Sequence, residues 1–450
     1  MWYKNKRFLV LGLGISGVAT ARALVELGAS VVVSDSKAID ELTEYTEQLK
    51  GLSVGYCLGN SNAICGEFDY LVKSPGIRND MEIIQVAREL GIEIITDIEL
   101  ASRIVANDII AITGTNGKTT TTTLVGEIFK NAGVRTHVAG NIGKGVMEAV
   151  IEKQDDRDVF VLETSSFQLE NTKEFRPKVS AIINITPDHL DWHQGLENYI
   201  KAKKKIAANQ EAEDTIVLNY DDAILKDFAK ELKAEVIYFS QKEVLERGIY
   251  LEENIIKFKT DEKCIDIIDI RELQIKGMHN VENVMTAVGI AMACGISLDT
   301  LQKTLKEFPG VEHRIEFVSK VNDVLYYNDS KGTNPDSTIK AVEALESNIY
   351  LIAGGYDKGS SFDSLLENCK DRVKKLVLIG ATAPKIAATS EKYGFKPVIV
   401  CDMEEAVKLC AEEAEVGDKV LLSPACASWD MYSNFEERGN HFKKIVSELK

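Results

Sequence analysis

The residues best suited to do chemistry lie in Gly114-Thr115-Asn116-Gly117-Lys118-Thr119-Thr120. They follow the β-branched run Asp108–Thr113 and precede a helical pattern over Thr121–Lys130. At a strand-to-helix junction, backbone N–H groups and the positive end of the helix suit an oxyanion. Lys118 would reach the β- and γ-phosphates of a nucleoside triphosphate, and Thr119 would offer its hydroxyl to Mg²⁺. The loop is shorter than G-x-x-x-x-G-K-[ST], because Ile112 stands where the first Gly belongs. A plain Gly/Thr turn is the bland alternative, but Gly-Lys-Thr at this junction is specific.

Three further groups fall after neighbouring strand patterns. Glu163 closes the run Val159–Glu163. The carboxyl ends of parallel strands face the ligand crevice, so Glu163 is a candidate oxygen ligand for Mg²⁺. His189, in Asn184–Asp191, follows the run Val179–Ile185. A lone His is more often structural, but convergence beside a phosphate loop favours a role. Lys201, Lys203, Lys204 and Lys205 follow on a helix predicted to start near Leu196. A lysine run is usually a solvated face.

Near the N-terminus, Gly12-x-Gly14-x-x-Gly17 follows the predicted strand Arg7–Leu11, and Asp35 ends the next one. These glycines let a pyrophosphate approach backbone N–H groups. A nicotinamide dinucleotide and a UDP-sugar both fit this geometry, and an unliganded tight turn is the bland reading. Ser74-Pro75-Gly76 ends a later strand pattern, Asp69–Lys73, and would face the same crevice.

The elements that must position these groups alternate between short β-branched runs and Ala/Leu/Glu/Lys-rich stretches, the pattern of parallel sheets with crossover helices. An α/β fold of three domains is expected: a Rossmann-like domain over 1–98, a central P-loop ATPase-like domain over 99–307, and a Rossmann-like domain over 308–450. A last strand of the first domain is expected near Glu93–Thr96, and strands of the third at Val324–Asn328, Ile349–Ala353, Leu376–Ile379, Pro397–Val400 and Lys419–Leu422. Glu235–Gln274, rich in β-branched and charged residues, reads as a small antiparallel addition. A net charge of −17 argues against nucleic acid, whose phosphates select basic surfaces. No apolar stretch is long enough to span a bilayer. The eight cysteines form no C-x-x-C pair and fit reduced, mostly buried thiols in a cytoplasmic protein.

The shortened phosphate loop resembles that of the Mur ligases and folylpolyglutamate synthases, which are three-domain amide ligases. The resemblance extends along nearly the whole chain. Gly277-Met-His279-Asn280-x-x-Asn283 resembles the element that reads adenine. Glu312-His313-Arg314 resembles the element whose Arg touches the transferred phosphate. Asn328-Asp329-Ser330-Lys331-Gly332-Thr333-Asn334-Pro335 resembles the D-S-K-x-T-N element, and Gly354-Gly355-Tyr356-Asp357-Lys358 the G-G-x-D-K turn. Leu422–Asp430 with Asn434–Gly439 looks like the signature of the members that add D-glutamate.

The resemblance therefore implies an ATP-dependent ligase adding D-glutamate to UDP-N-acetylmuramoyl-L-alanine through an acyl phosphate, in peptidoglycan biosynthesis. It implies ATP contacts at Gly114, Thr115, Asn116, Gly117, Lys118, Thr119, Thr120, Asn280, Asn283, Arg314 and Asp329. UDP-substrate contacts would be Gly14, Ser16, Asp35, Ser36, Ser74, Gly76, Asn141 and His189. D-Glutamate would meet Thr333, Lys358, Ser428 and Phe435. Lys118, Glu163, His189, Lys203 and Arg314 would be catalytic. Mg²⁺, as two ions, would be held by Thr119, Glu163, His189 and Lys203, the last as a carbamate. Trp192 and His193 receive no role. A monomer with small-molecule substrates and no membrane span is expected. The rival readings are another Mur-type or folylpolyglutamate-type ligase, a non-enzymatic ATP-dependent switch, and a nicotinamide-dependent oxidoreductase resting on Gly12–Gly17 and Asp35.

Overall fold

The computed structural model describes residues 2–59, 64, 66–142, 144–152, 155–357 and 359–449. The chain divides into two compact units: Met1–Glu272 with Glu282–Glu307, and Leu273–Val281 with Phe308–Lys450.

The first unit holds two sheets. In one, β1 (Arg7–Leu11), β2 (Ser30–Asp35), β3 (Val54–Leu58), β4 (Tyr70–Lys73) and β5 (Glu93–Ile95) run parallel in the order β3-β2-β1-β4-β5. The order reverses beside β1, so the crevice past its end is where a doubly wound sheet takes a ligand. Sequence reading missed β3, whose VGYCL has a central Gly and a mostly uncovered face. The second sheet has β6 (Asp108–Thr113), β7 (Thr136–Gly140), β8 (Val159–Glu163), β9 (Val179–Ile182) and β10 (Thr215–Asn219). It continues through β11 (Glu235–Ser240), β12 (Gly248–Glu252), β13 (Ile255–Lys259) and β14 (Cys264–Asp269). Its order is β14-β13-β12-β11-β10-β9-β6-β8-β7.

The segment expected to be an antiparallel addition is partly that. β12, β13 and β14 pair antiparallel, but β11 joins β10 in parallel, and β12 joins β11 in parallel. The strands β6, β8 and β9 are buried on both faces and read as continuous apolar runs (DIIAIT, VFVLE, VSAI).

The second unit carries β15 (Glu316–Val321), β16 (Val324–Asn328), β17 (Ile349–Ala353), β18 (Val373–Leu378), β19 (Val398–Ile399) and β20 (Lys419–Leu422), ordered β15-β16-β20-β17-β18-β19. β15 alone is antiparallel. Helices cover both faces. Ala341, Leu365 and Ile386 pack on one side, and Met403, Val407, Phe442 and Val446 on the other.

The cysteines depart from expectation. Cys57 is disulfide-bonded, and of the free thiols Cys264, Cys294 and Cys401 are exposed while Cys369, Cys410 and Cys426 are buried. No helix among the described residues is long and apolar enough to cross a membrane.

Candidate active site

Three adjacent strands bring the first unit's polar residues together. β6 lies between β8 and β9, with Ile112 opposite Glu163 and Thr113 opposite Ile182. The loop after β6 runs into the helix Lys118–Asn131. Gly117 turns it at φ 86°, and a Cβ there would sit 2.1 Å from Asn283 Oδ1. Asn184, past the end of β9, ties the loop down. Its carbonyl accepts from Thr115 N–H at 3.0 Å and its Oδ1 from Asn116 N–H at 2.9 Å. Thr115 Oγ1 also lies 3.0 Å from the Tyr199 hydroxyl and donates to Thr186 O. The loop is thus tied to the segment after β9 and to Tyr199 by hydrogen bonds. Thr119 and Thr120 are buried in the first turn.

Lys118 Nζ donates to Gly114 O and Thr115 O, both at 2.9 Å. Lys203, from the helix Leu196–Lys204, reaches the same loop. Its Nζ donates to Gly114 O at 2.8 Å and lies over the Tyr199 ring at 4.7 Å. Lys203 is only 1% exposed, unlike the solvated face that a lysine run suggests. Burial first, and then the Lys118 charge, hold its pKa well below the usual lysine value.

Glu163 is 2% exposed. Its Oε1 accepts from Asn141 Nδ2 at 2.9 Å, but its Oε2 has no hydrogen-bond partner. An unpaired buried carboxylate oxygen costs more than the roughly 1–3 kcal/mol of a neutral group, so this atom is poised for a cation. Among the described residues no cluster of three or more His, Cys, Asp or Glu side chains stands ready for a metal ion. His189 departs from regular backbone at φ 51°, packs edge-on to Phe167 at 4.9 Å, and faces Asp188 Oδ2 at 3.5 Å.

At the first sheet, Gly12 has φ 95°, and a Cβ on Gly17 would meet Gly12 O at 2.0 Å. Asp35 braces this turn: Oδ2 accepts from Leu13 N–H at 2.7 Å and Oδ1 from Lys37 N–H at 3.0 Å. Ser74 Oγ donates to Gly12 O at 3.2 Å. Gly14, Ser16, Ser36 and Gly76 lie in or beside the same crevice edge by sequence position, and no Cβ contact crowds Gly14 or Gly76.

In the second unit, Asp329 is 1% exposed and its carbonyl-side loop is knotted to β20. Its N–H donates to Leu422 O at 2.7 Å, and its Oδ2 accepts from Ser423 Oγ at 2.7 Å. Burial pushes its pKa up to about 6, against the lowering charge of Arg314. Arg314 Nε is buried without a partner. His313, at φ 63°, accepts from Asn328 Nδ2 at 2.8 Å through Nδ1 and stands edge-on to Phe435. Thr333 lies one turn before the helix Pro335–Ala344, capped by Asn334. Ser428 is buried, its carbonyl accepting from Met431 and Tyr432 N–H, and Phe435 opens the helix Phe435–Glu448. Lys358 lies outside the described residues. Asn280 belongs to this unit and donates to Lys276 O at 2.7 Å, whereas Asn283 belongs to the first.

Sequence reasoning passed over Arg438 as an organiser. It is 1% exposed and donates to Ser330 O, Ser330 Oγ, Cys426 O and Ala427 O at 2.9–3.3 Å. Its place in the third-domain stretch was the only available signal. Asn184 was also missed as an organiser, because a loop tie of this kind leaves no spacing pattern.

Three family descriptions match: "Mur ligase MurD-like, N-terminal domain" over residues 6–96, "Mur ligase middle domain" over 112–291, and "Mur ligase, glutamate ligase domain" over 313–426. A UDP-N-acetylmuramoylalanine--D-glutamate ligase from Thermoanaerobacter sp. (strain X514) is 50% identical over 100% of both chains. The chain belongs to the Mur ligase family. A relative of the same name from Clostridioides difficile is 49% identical over 99% of each Mur ligase chain. Among solved structures, the UDP-N-acetylmuramate-alanine ligase MurC of Thermotoga maritima shares the fold at TM-score 0.62 and 20% identity, over 99% of this chain and 100% of that one. MurF of Acinetobacter baumannii matches at TM-score 0.62 and 18% identity, over 99% and 91%. The three-domain Mur ligase architecture, with a Rossmann-like domain at each end and an ATPase-like centre, is therefore that of this chain.

Proposed function

We propose that this Mur ligase adds D-glutamate to UDP-N-acetylmuramoyl-L-alanine at the expense of ATP, in peptidoglycan biosynthesis. The observation that carries the reading is the 50% identity, over the full length of both chains, to a ligase of that name. The loop with Lys118 and Lys203 on one carbonyl supports the phosphate chemistry.

The L-alanyl carboxylate oxygen attacks the γ-phosphorus. An O–P bond forms, the bond to the β,γ-bridging oxygen breaks, and ADP leaves. The amine of D-glutamate then attacks the acyl carbon, a C–N bond forms, phosphate leaves and the amine gives up a proton. Bringing a carboxylate to a triphosphate sets anion against anion, so cationic groups at the loop lower the barrier. Lys118 and Arg314 offset charge on the phosphoryl oxygens, and the N–H groups of Gly117, Lys118, Thr119 and Thr120 hold the phosphates, those of Thr115 and Asn116 being given to Asn184. Asn280, Asn283 and Asp329 serve ATP.

The unpartnered Glu163 Oε2 and the Thr119 hydroxyl fit Mg²⁺, with His189 completing the donor set. When bound, Mg²⁺ neutralises phosphate charge and orients the transferred group. Burial and the Lys118 charge lower the Lys203 pKa and so favour the neutral amine that takes up CO₂, and the resulting carbamate would supply an anionic oxygen to a second ion. Gly14, Ser16, Asp35, Ser36, Ser74, Gly76 and Asn141 serve the UDP-muramoyl substrate, and Thr333, Lys358, Ser428 and Phe435 serve D-glutamate. The protein works as a cytoplasmic monomer.

The test is ADP release with UDP-N-acetylmuramoyl-L-alanine and each amino acid in turn. Turnover that requires D-glutamate is expected. Turnover driven instead by L-alanine or a diamino acid, or NAD(H) binding with no ATP use, would overturn the reading.

A further inference from the structure

The backbone on either side of Arg314 is strained. His313 has φ 63° and Ile315 has φ 46°. A β-branched residue in the left-handed region is an outlier, and such conformations last only where the surroundings over-determine them. Four hydrogen bonds do so. Arg314 N–H donates to Val311 O at 3.2 Å, and Lys331 N–H donates to His313 O at 3.0 Å. Ile315 N–H donates to Asp329 Oδ1 at 3.2 Å, and His313 N–H donates to Glu316 Oε2 at 2.9 Å. Asp329 is already given to ATP. Glu316 has no place in the chemistry above.

Glu316 gathers more than the loop. It opens β15 opposite Asn328 on β16. Its Oε2 also accepts from Asn328 Nδ2 at 2.9 Å, and the same amide reaches His313 Nδ1 at 2.8 Å. Its Oε1 accepts from Lys443 Nζ at 3.1 Å. Lys443 lies on the helix Phe435–Glu448, one turn after Gly439, and also donates to Glu312 Oε1 at 3.0 Å. A Cβ on Gly439 would come 2.2 Å from His313 Nδ1, so the helix packs bare backbone against that ring. One carboxylate therefore joins the loop, the sheet and the last helix through charge-assisted bonds, which are stronger and more directional than neutral ones. Arg314 does not fix itself in the same way. Its Nε is buried without a partner, so the backbone on either side sets its direction.

We infer that Glu316 is a positioning residue, which holds the backbone of residues 313–315 so that the Arg314 guanidinium meets the transferred phosphoryl group. The inference rests on the role proposed above for Arg314. A cationic donor displaced by about 1 Å costs about 10²-fold in rate. Contacts to the substrates themselves are left in place, so the loss falls on kcat.

The test is a double-mutant cycle on the full chain, read by ADP release and by ¹⁵N relaxation of the Arg314 Nε–H in ¹⁵N-arginine-labelled protein, assigned with Arg314→Lys. Glu316→Ala should lower kcat by about 10²-fold and change KM for D-glutamate and for UDP-N-acetylmuramoyl-L-alanine by less than about twofold. In an Arg314→Ala background it should lower kcat no further, because residues that act through one another are not additive. The Arg314 Nε–H should also gain motion on the ps–ns scale. Glu316→Gln keeps the shape but turns an amide N–H₂ toward Lys443, and should lose about tenfold; it carries the same cycle if Glu316→Ala does not fold. Equal losses with and without Arg314, a loss carried by KM alone, or an Arg314 Nε–H as rigid as in the native chain would each overturn the inference. ADP release by the native chain that ignores D-glutamate would overturn the proposed reaction alone, since the relaxation measurement still decides whether Glu316 holds Arg314.

Discussion

Lys118 and Lys203 converge on a single acceptor, the carbonyl oxygen of Gly114, at 2.9 and 2.8 Å. Two ammonium groups on one oxygen repel, and the buried one yields. Lys203 has its pKa pressed down by desolvation and by the Lys118 charge, while Asp188 and Glu163 only partly oppose this. The charged form of this lysine is thus disfavoured relative to that of an exposed one.

The first expectation concerns Lys203. Its lowered pKa favours the neutral amine, which should bond to CO₂ through nitrogen and release a proton more readily than an ordinary lysine does. ¹³C-bicarbonate should give a carbamate resonance that Lys203→Ala lacks. That variant should lose turnover by about 10²–10³-fold, and formate or acetate should restore part of it. Full activity in Lys203→Ala would remove the residue from the site.

Lys118→Ala should reduce ADP formation by about 10³-fold, as for removal of a charged donor from a developing oxyanion. It should also let the Lys203 pKa rise, since a like charge is gone. ADP release and the pH dependence of carbamate formation report the two effects separately.

Gly117→Ala should abolish ATP binding. The left-handed φ of 86° costs an alanine about 1–2 kcal/mol, and its methyl group would overlap Asn283 Oδ1. Gly117→Ala with Asn283→Ala relieves the overlap but also removes a proposed ATP contact, so Asn283→Ala alone is the reference, and nucleotide titration should show the double variant binding more weakly than it. Equal affinity in the two would mean that backbone conformation there is unimportant.

Asp329 gives a stability that depends on pH. Its folded pKa of about 6 lies above the ordinary 3.8, so the folded chain holds the proton more tightly than the unfolded one. Stability then falls as pH rises from about 4 to about 6 and is level beyond. The full cost is about 3 kcal/mol at 1.36 kcal/mol per pH unit. Asp329→Asn should therefore gain stability relative to the native chain as pH rises from 4 to 7. Urea unfolding at both pH values measures this, and a difference independent of pH would refute the assignment.

Arg438→Ala should destabilise the second unit by about 3–5 kcal/mol, because a buried hub with several acceptors is removed. Arg438→Lys should recover little, since one ammonium cannot reach the oxygens that the guanidinium fork spans. Thermal unfolding reads both.

Much of this was visible in the residues. β6, β8 and the helix from Leu196 could be read because long apolar runs and Gly-Lys-Thr are local signals. β3, β7 and β15 escaped because their sequences mix apolar with polar residues or glycine, and only tertiary pairing decides them, whereas β10 (TIVLN) carries a local apolar signal that went unread. The site was legible where chemistry needs a fixed spacing, as at Gly114–Thr120. It was not where one side chain serves a distant loop. Arg438 and Ser330 are 108 residues apart, and no periodicity announces their contact. The exposed Lys201 and buried Lys203 show the same limit within a single lysine run, since burial depends on what the helix packs against.

The placement of Glu163, Asn184 and the loop after Thr113 on three neighbouring strands has an evolutionary corollary. Their mutual spacing is set by the roughly 4.8 Å interval between strands, not by any loop. The residues proposed to meet D-glutamate belong to a unit with its own hydrophobic interior. A lineage could therefore change which building block it couples by redrawing Ser428, Phe435 and their surroundings, and inherit the energy-coupling apparatus untouched.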